Sequence, residues 1–179
     1  TVTRLGPLWL AVYPGGQGFA TYSALGSVDA AAVYRLVARA RDHFLANASV
    51  TAAEWKTRGH DAAPGLHDSL MAHGFAREAP ESIMVGHARD LATEVPLPAG
   101  VELRRVRAAD EVRSMSAMQD AVFGGPASPE RAEALLARLE RGDGLELWVA
   151  EAAGDIVSAG RLEPVAGTPF AGLWGGATL

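Results

Sequence analysis

The sequence predicts an α+β fold in two halves, each combining helices with mostly antiparallel strands. Three observations predict it. Residues 1–89 read in the order strand, strand, helix, strand, helix, strand. Residues 101–179 read strand, helix, helix and then three strands. Between them "DLATEVPLPAG" (Asp90–Gly100) holds Pro96 and Pro98 and reads as a linker over residues 90–100.

Each element of the first half follows from local chemistry. Pro7–Pro14 is a short apolar run rich in aromatic and β-branched residues, hence a strand. "GGQG" (Gly15–Gly18) has no basic residue beside it and reads as a hairpin turn rather than a phosphate loop. Phe19–Leu25 alternates partly and reads as a second strand. Ser27 is placed to cap a helix, with Asp29 in its first turn and Ala32, Val33, Leu36, Val37, Ala40 and Phe44 at helical spacing. Ser49–Gly59 is strand-like, with Glu54, Lys56 and Arg58 on one side and Trp55 and Thr57 on the other. Pro64–Phe75 reads as a short helix with Leu66, Leu70 and Met71 on one face and Gly74 as its stop. Glu81–His87, "ESIMVGH", reads as another strand.

The second half is more regular. "VELRRVR" (Val101–Arg107) alternates apolar and polar, as a half-buried strand does. Ala108–Phe123 is a helix with Val112, Met115, Met118, Ala121 and Val122 on its apolar side. "GGPAS" breaks it, Ser128 caps the next helix, and Pro129 takes the first helical position. Ala134, Leu135 and Leu139 carry that helix's stripe. "LELWVAEA", a turn at Ala153–Asp155, and "IVSAGRLEPV" form a hairpin. "AGTP" then turns the chain into the strand "FAGLWGGATL" (Phe170–Leu179).

Composition narrows the function classes. The 179 residues are 49% hydrophobic and 21% charged, enough apolar material for a core. Residues 1–90 hold eight Lys+Arg and eight Asp+Glu; residues 91–179 hold eight and thirteen, which places the whole net charge of -5 in the second half. Neither half is basic, which argues against a nucleic-acid surface. Fifteen of the sixteen basic residues are Arg, a sign of a high-GC genome. The absence of cysteine excludes disulfides, thiolate metal sites and cysteine nucleophiles, and fits a cytoplasmic protein. No apolar run approaches the roughly 18 residues of a membrane helix. His67 and His73 are six apart, where a helical metal pair needs three or four, so no metal site is expected.

The stretches "LRRVRAADEVRSM", "LWVAEAAGDIVSAGRLEP" and "GLWGGATL" resemble the front half of the GCN5-related N-acetyltransferase superfamily over Val101–Leu179. "VTAAEWKTRGHDAAPGLHDSLMAHGFAREAPESIMVG" resembles its back half: a strand, a helix, the ending "HGF" and a final strand. Actinobacterial acetyltransferases with an extra N-terminal half look similar overall. The resemblance implies an acyl-CoA N-acyltransferase-like fold, with 1–89 a degenerate N-terminal half and 101–179 the front half of an acetyltransferase domain. A permuted single domain is the alternative topology; pairing of Ser49–Thr57 beside Phe170–Thr178 would mark it.

In that superfamily the fourth strand presents free backbone groups to the pantetheine arm, and an Arg-x-x-Gly-x-Gly loop then holds the pyrophosphate at a helix N-terminus. No Arg-x-x-Gly-x-Gly stands in the 179 residues, and the last strand runs to Leu179. The chain is therefore expected to be a piece of a longer protein, inactive or nearly so by itself. The resemblance implies acetyl-CoA as acyl donor, an amine as acceptor, and Gly176, Ala177, Thr178 and Leu179 as acetyl-CoA contacts. Gly175 and Gly176 weaken a strand unless they form a bulge or admit another backbone; admitting pantetheine is the favoured role. Glu163 is the nearest carboxylate able to deprotonate an amine, although a salt bridge with Arg161 accounts for it as well. Trp174 either lines a pocket or packs in the core. In "TRGHDAAPG", Asp61 is expected to cap a short helix, with His60 unpartnered. The rival to the enzyme is a non-catalytic binding module. Without the helices expected after Leu179, the chain is expected to aggregate or form a homodimer through the apolar sheet surface they would cover.

Overall fold

A computed structural model describes residues 1–13, 15–26, 28–124 and 128–179. They divide into two compact units, Thr1–Met84 and Val85–Leu179. Each unit has its own four-stranded sheet, in the orders β1-β2-β3-β4 and β5-β6-β7-β8.

In the first unit β1 (Val2–Leu5) and β2 (Leu8–Val12) form an antiparallel hairpin, and β3 (Gln17–Thr21) pairs antiparallel to β2. The sequence reading begins its first strand at Pro7 and places no strand at Val2–Leu5. Gly6, at φ +59, makes the turn that separates β1 from β2. Of "GGQG", Gly15 and Gly16 lie in the expected turn, closed by the Tyr13 N–H on the Gln17 carbonyl, while Gln17 and Gly18 already belong to β3. Helix α1 (Ala30–Leu45) crosses over to β4 (Ala52–Trp55), which lies parallel to β3. Asp29 caps α1: its Oδ1 accepts the Ala32 N–H at 2.7 Å. Ser27, the cap expected from sequence, lies outside the described residues. Val33, Val37, Ala40 and Phe44 of α1 pack on Leu8, Leu10 and Ala20. Each such burial contributes about 1.5–3 kcal/mol for a large apolar side chain.

Helix α2 (Leu66–Ala72) buries Leu66 and Leu70 but leaves Met71 58% exposed, one residue off the stripe. Gly74, at φ +88, stops it: the Phe75 N–H reaches the Leu70 carbonyl and the Gly74 N–H the Met71 carbonyl.

The expected strand at Glu81–His87 does not form. Ile83, Met84 and Val85 are 80, 93 and 78% exposed, and no described strand pairs with them. An apolar run becomes a strand only with a ladder partner and a face to bury, and this one has neither. A short helix α3 (Ala88–Leu91) follows it.

In the second unit all four strands are antiparallel: β5 (Val101–Val106), β6 (Glu146–Ala152), β7 (Asp155–Pro164) and β8 (Ala171–Thr178). Ala152 pairs with Asp155 across Ala153 (φ 53) and Gly154 (φ 89), the two left-handed residues of a type I′ turn. Helices α4 (Ala109–Val122) and α5 (Pro129–Arg141) supply Val112, Met115, Met118 and Leu135 to a core with Val106, Leu147, Val149, Ala159 and Ala177. Leu103, Trp148 and Leu173 are exposed.

The buried side of α4 differs from the expected one. Ala121 and Val122 are exposed, and Ser116, Gln119 and Asp120 are buried. The stripe follows strict helical spacing (112, 115, 116, 119) rather than apolarity. In α5, Ala132 is buried more deeply than Ala134. Ser128 stands at the N-cap, yet its hydroxyl meets Glu130 Oε2 at 3.3 Å and caps nothing. Its backbone N–H donates to Asp120 Oδ2 at 2.7 Å, tying the start of α5 to the end of α4. β4 pairs with β3 and β8 with β7, so the single permuted sheet is not the arrangement adopted.

Candidate functional site

The glycine pair near the end of β8 interrupts the β7–β8 ladder. Ser158 pairs with Thr178 and Ala159 with Ala177; beyond them the register shifts and Arg161 pairs with Trp174. Gly175 and Gly176 thus stand opposite the single residue Gly160, a β-bulge. Gly175 is the left-handed residue of the bulge, at φ +63. A Cβ there would lie 2.6 Å from an Arg161 guanidinium nitrogen and 3.0 Å from Gln119 Nε2. At Gly176 a Cβ would meet no atom within 4 Å. The bulge and the open space are both present, one at each glycine.

Beyond the bulge β8 is the terminal strand of its sheet. The Leu179 N–H donates to the Val157 carbonyl at 2.9 Å. In an antiparallel ladder neighbouring residues turn their polar groups to opposite sides, so Thr178 directs its N–H and C=O away from β7. Ala177 is 6% exposed and its carbonyl accepts the Ser158 hydroxyl at 2.9 Å, which ties it to β7. Of the four residues expected to meet acetyl-CoA, Thr178 therefore turns its backbone groups away from β7, Gly176 is exposed with open space at a would-be Cβ, and Ala177 and Leu179 are engaged within the sheet.

Charged and polar side chains buttress the bulge. Gln119 of α4, only 4% exposed, donates its Nε2–H to the Gly175 carbonyl at 2.5 Å. Arg161 donates to Glu163 Oε1 at 2.5 Å, and Arg138 of α5 donates to Glu163 Oε2 at 2.8 Å and to Asp143 at 3.0 Å. Burial pushes the Glu163 carboxyl up, but the hydrogen bonds and charges of Arg138 and Arg161 outweigh it and hold the group below its usual value. Glu163 is thus ionised at neutral pH and a weak proton acceptor. Gln119 escaped the sequence reading. The available signal was its place seven residues after Val112, on the buried stripe.

Trp174 is 57% exposed, so it is not a core residue. In the first unit the "TRGHDAAPG" loop is organised by Asp61. Asp61 Oδ2 accepts the Tyr22 hydroxyl at 2.5 Å and the Arg58 N–H at 2.7 Å. The residue preceding α2 is Gly65, without a side-chain cap, so Asp61 closes the Arg58–Asp61 turn instead of capping a helix. Burial, and then the bond to Asp61, push the Tyr22 hydroxyl well above its usual value. The N-terminus of α1 is occupied by the Asp29 carboxylate, which disfavours an anion there.

Among the described residues no group of three or more His, Asp or Glu side chains is placed to hold a metal ion. No helix among them is long and apolar enough to cross a membrane.

No family model matches the sequence, and no curated protein matches it. Among solved structures, one similar chain is a GCN5-related N-acetyltransferase from Kribbella flavida, at 21% identity and a TM-score of 0.59. The match covers 100% of this chain and 66% of that one, so the chain spans just under two thirds of that protein's length. The two sheets with their flanking helices thus match an acyl-CoA N-acyltransferase-like fold, the fold of the GCN5-related N-acetyltransferases.

Proposed function

We propose that the protein transfers an acetyl group from acetyl-CoA to an amine. Residues 101–179 serve as the front half of the acetyltransferase domain, and residues 1–89 as a degenerate acetyltransferase-like half joined through 90–100. The observation that carries this reading is the bulged open edge of β8, on a fold shared with acetyltransferases. The residues present fit a pantetheine arm: Gly176 leaves space where any side chain would intrude, and Thr178 offers an unpaired N–H and C=O. The Gly176 N–H is the donor for the thioester oxygen. In the transfer an amine nitrogen bonds to the acetyl carbon, the C–S bond breaks, and the amine gives up a proton as the thiolate gains one.

Glu163 is the proposed proton acceptor, working through water. Its low pKa limits how strongly it can pull, because general-base efficiency falls with the base's pKa. The same two-arginine clamp favours a second reading, an acetyltransferase-like scaffold kept as a non-catalytic binding module.

Titration calorimetry with acetyl-CoA separates the two. The enzyme reading predicts binding by the wild-type protein, weakened about tenfold or more by Gly176→Val, whose branched Cβ fills the open space while suiting a strand. Equal affinities would remove the cofactor role of β8. Absence of binding by either protein would favour the binding module.

A further inference from the structure

Gln119 is a polar side chain on the buried stripe of α4, where an apolar residue of the same size would pack without a desolvation cost. What it does there is specific. Its Nε2–H meets the Gly175 carbonyl at 2.5 Å. That carbonyl belongs to the left-handed residue of the bulge, where the β7–β8 register shifts.

The Gly175 carbonyl and the Gly176 N–H belong to one trans peptide and point in opposite directions. Helix α4 packs on β7 and β8, so Gln119 holds the carbonyl toward the helix-covered face of the sheet. The N–H at the other end of the plane is thereby aimed at the opposite face, where Gly176 is exposed and a Cβ would meet no atom within 4 Å. We infer that Gln119 is a positioning residue: by gripping the Gly175 carbonyl it sets the direction of the Gly176 N–H. The value of that direction for acetyl transfer rests on the function proposed above, in which this N–H faces the thioester oxygen.

Residue type and reach both matter. An amide is a neutral donor, so no charge has to be buried under the bulge. Asn would fall one methylene short. Arg161 places an Nη against the would-be Cβ of Gly175 and donates its Nε–H to Glu163 at 2.5 Å, whereas the hydrogen bond to the Gly175 carbonyl comes from Gln119.

The test reads the backbone amide of Gly176 in the whole 179-residue chain by nitrogen-15 NMR, without ligand. Gln119→Leu keeps the volume and removes the donor. Gln119→Glu keeps the shape and places an acceptor beside an acceptor. Both are expected to shift the Gly176 resonance, while the amides of Val112 and Met115 on the same helix keep theirs. If Gln119→Leu fails to fold, Gln119→Glu decides alone. A Gly176 amide unmoved in folded variants would overturn the inference and reduce Gln119 to packing. Acetyl-CoA added to the wild type forms a separate arm. Shifts at neither Gly176 nor Thr178 would sink the functional reading, while the ligand-free spectra still decide the role of Gln119.

Discussion

Two adjacent glycines in β8 have different requirements. Gly175 sits at φ +63 with its would-be Cβ 2.6 Å from Arg161, so Gly175→Ala is strained and crowded at once. It should lose about 1–3 kcal/mol in urea unfolding. Gly176→Ala, facing open space, should stay within about 0.5 kcal/mol of wild type. Equal losses at the two positions would contradict the bulge assignment. Glu163 makes a pH prediction of definite sign. Its folded pKa lies below the ordinary 4.5, so its contribution to stability is complete above that pH. The contribution disappears as pH falls from there through the lowered folded value. Glu163→Gln should therefore cost stability at pH 7 and flatten the acid limb of a Tm-against-pH curve. In an acetyl-transfer assay the same variant separates roles: a base gives a large fall in rate, a strut for Arg138 and Arg161 mainly a fall in Tm.

At the scale of elements, the β6–β7 hairpin was legible because turn chemistry is local: Ala153–Gly154 followed by Asp155 between alternating runs admits few conformations. It also leaves room for improvement. Ala153 holds φ 53 at a type I′ position that Asn occupies at lower cost, so Ala153→Asn should raise stability by about 0.5–1 kcal/mol in a thermal melt. Helix α1 was legible from its stripe, but its cap was misread by two residues. Asp29→Ala should cost about 1 kcal/mol in the same experiment. The apolar side of α4 was misread because buried Ser116, Gln119 and Asp120 look like surface residues until their spacing is given more weight than their polarity. Residues 81–87 were misread for the converse reason. Their composition suits a strand, but strand formation depends on a neighbour that no local pattern specifies. The bulge was half legible: the glycine pair announced a backbone feature, whereas the carbonyl grip from Gln119, 56 residues earlier in the chain, could not be seen without the fold.

At the scale of the whole molecule, two sheets with separate cores are connected by chain that is exposed from Ala76 to Gly100. Brief trypsin digestion should cut first after Arg77 and Arg89 and spare Arg35 and Arg39 inside α1. Early cleavage within α1 would contradict the boundaries drawn here. The central claim is that the open edge of β8 is an acyl-CoA site, and residue-resolved hydrogen exchange at that edge tests it most directly. The Thr178 amide faces away from β7, and Leu179, bonded to the Val157 carbonyl, is its internal control. Millimolar acetyl-CoA is predicted to slow exchange at Thr178 several-fold and leave Leu179 unchanged. Identical Thr178 rates with and without acetyl-CoA would contradict the claim.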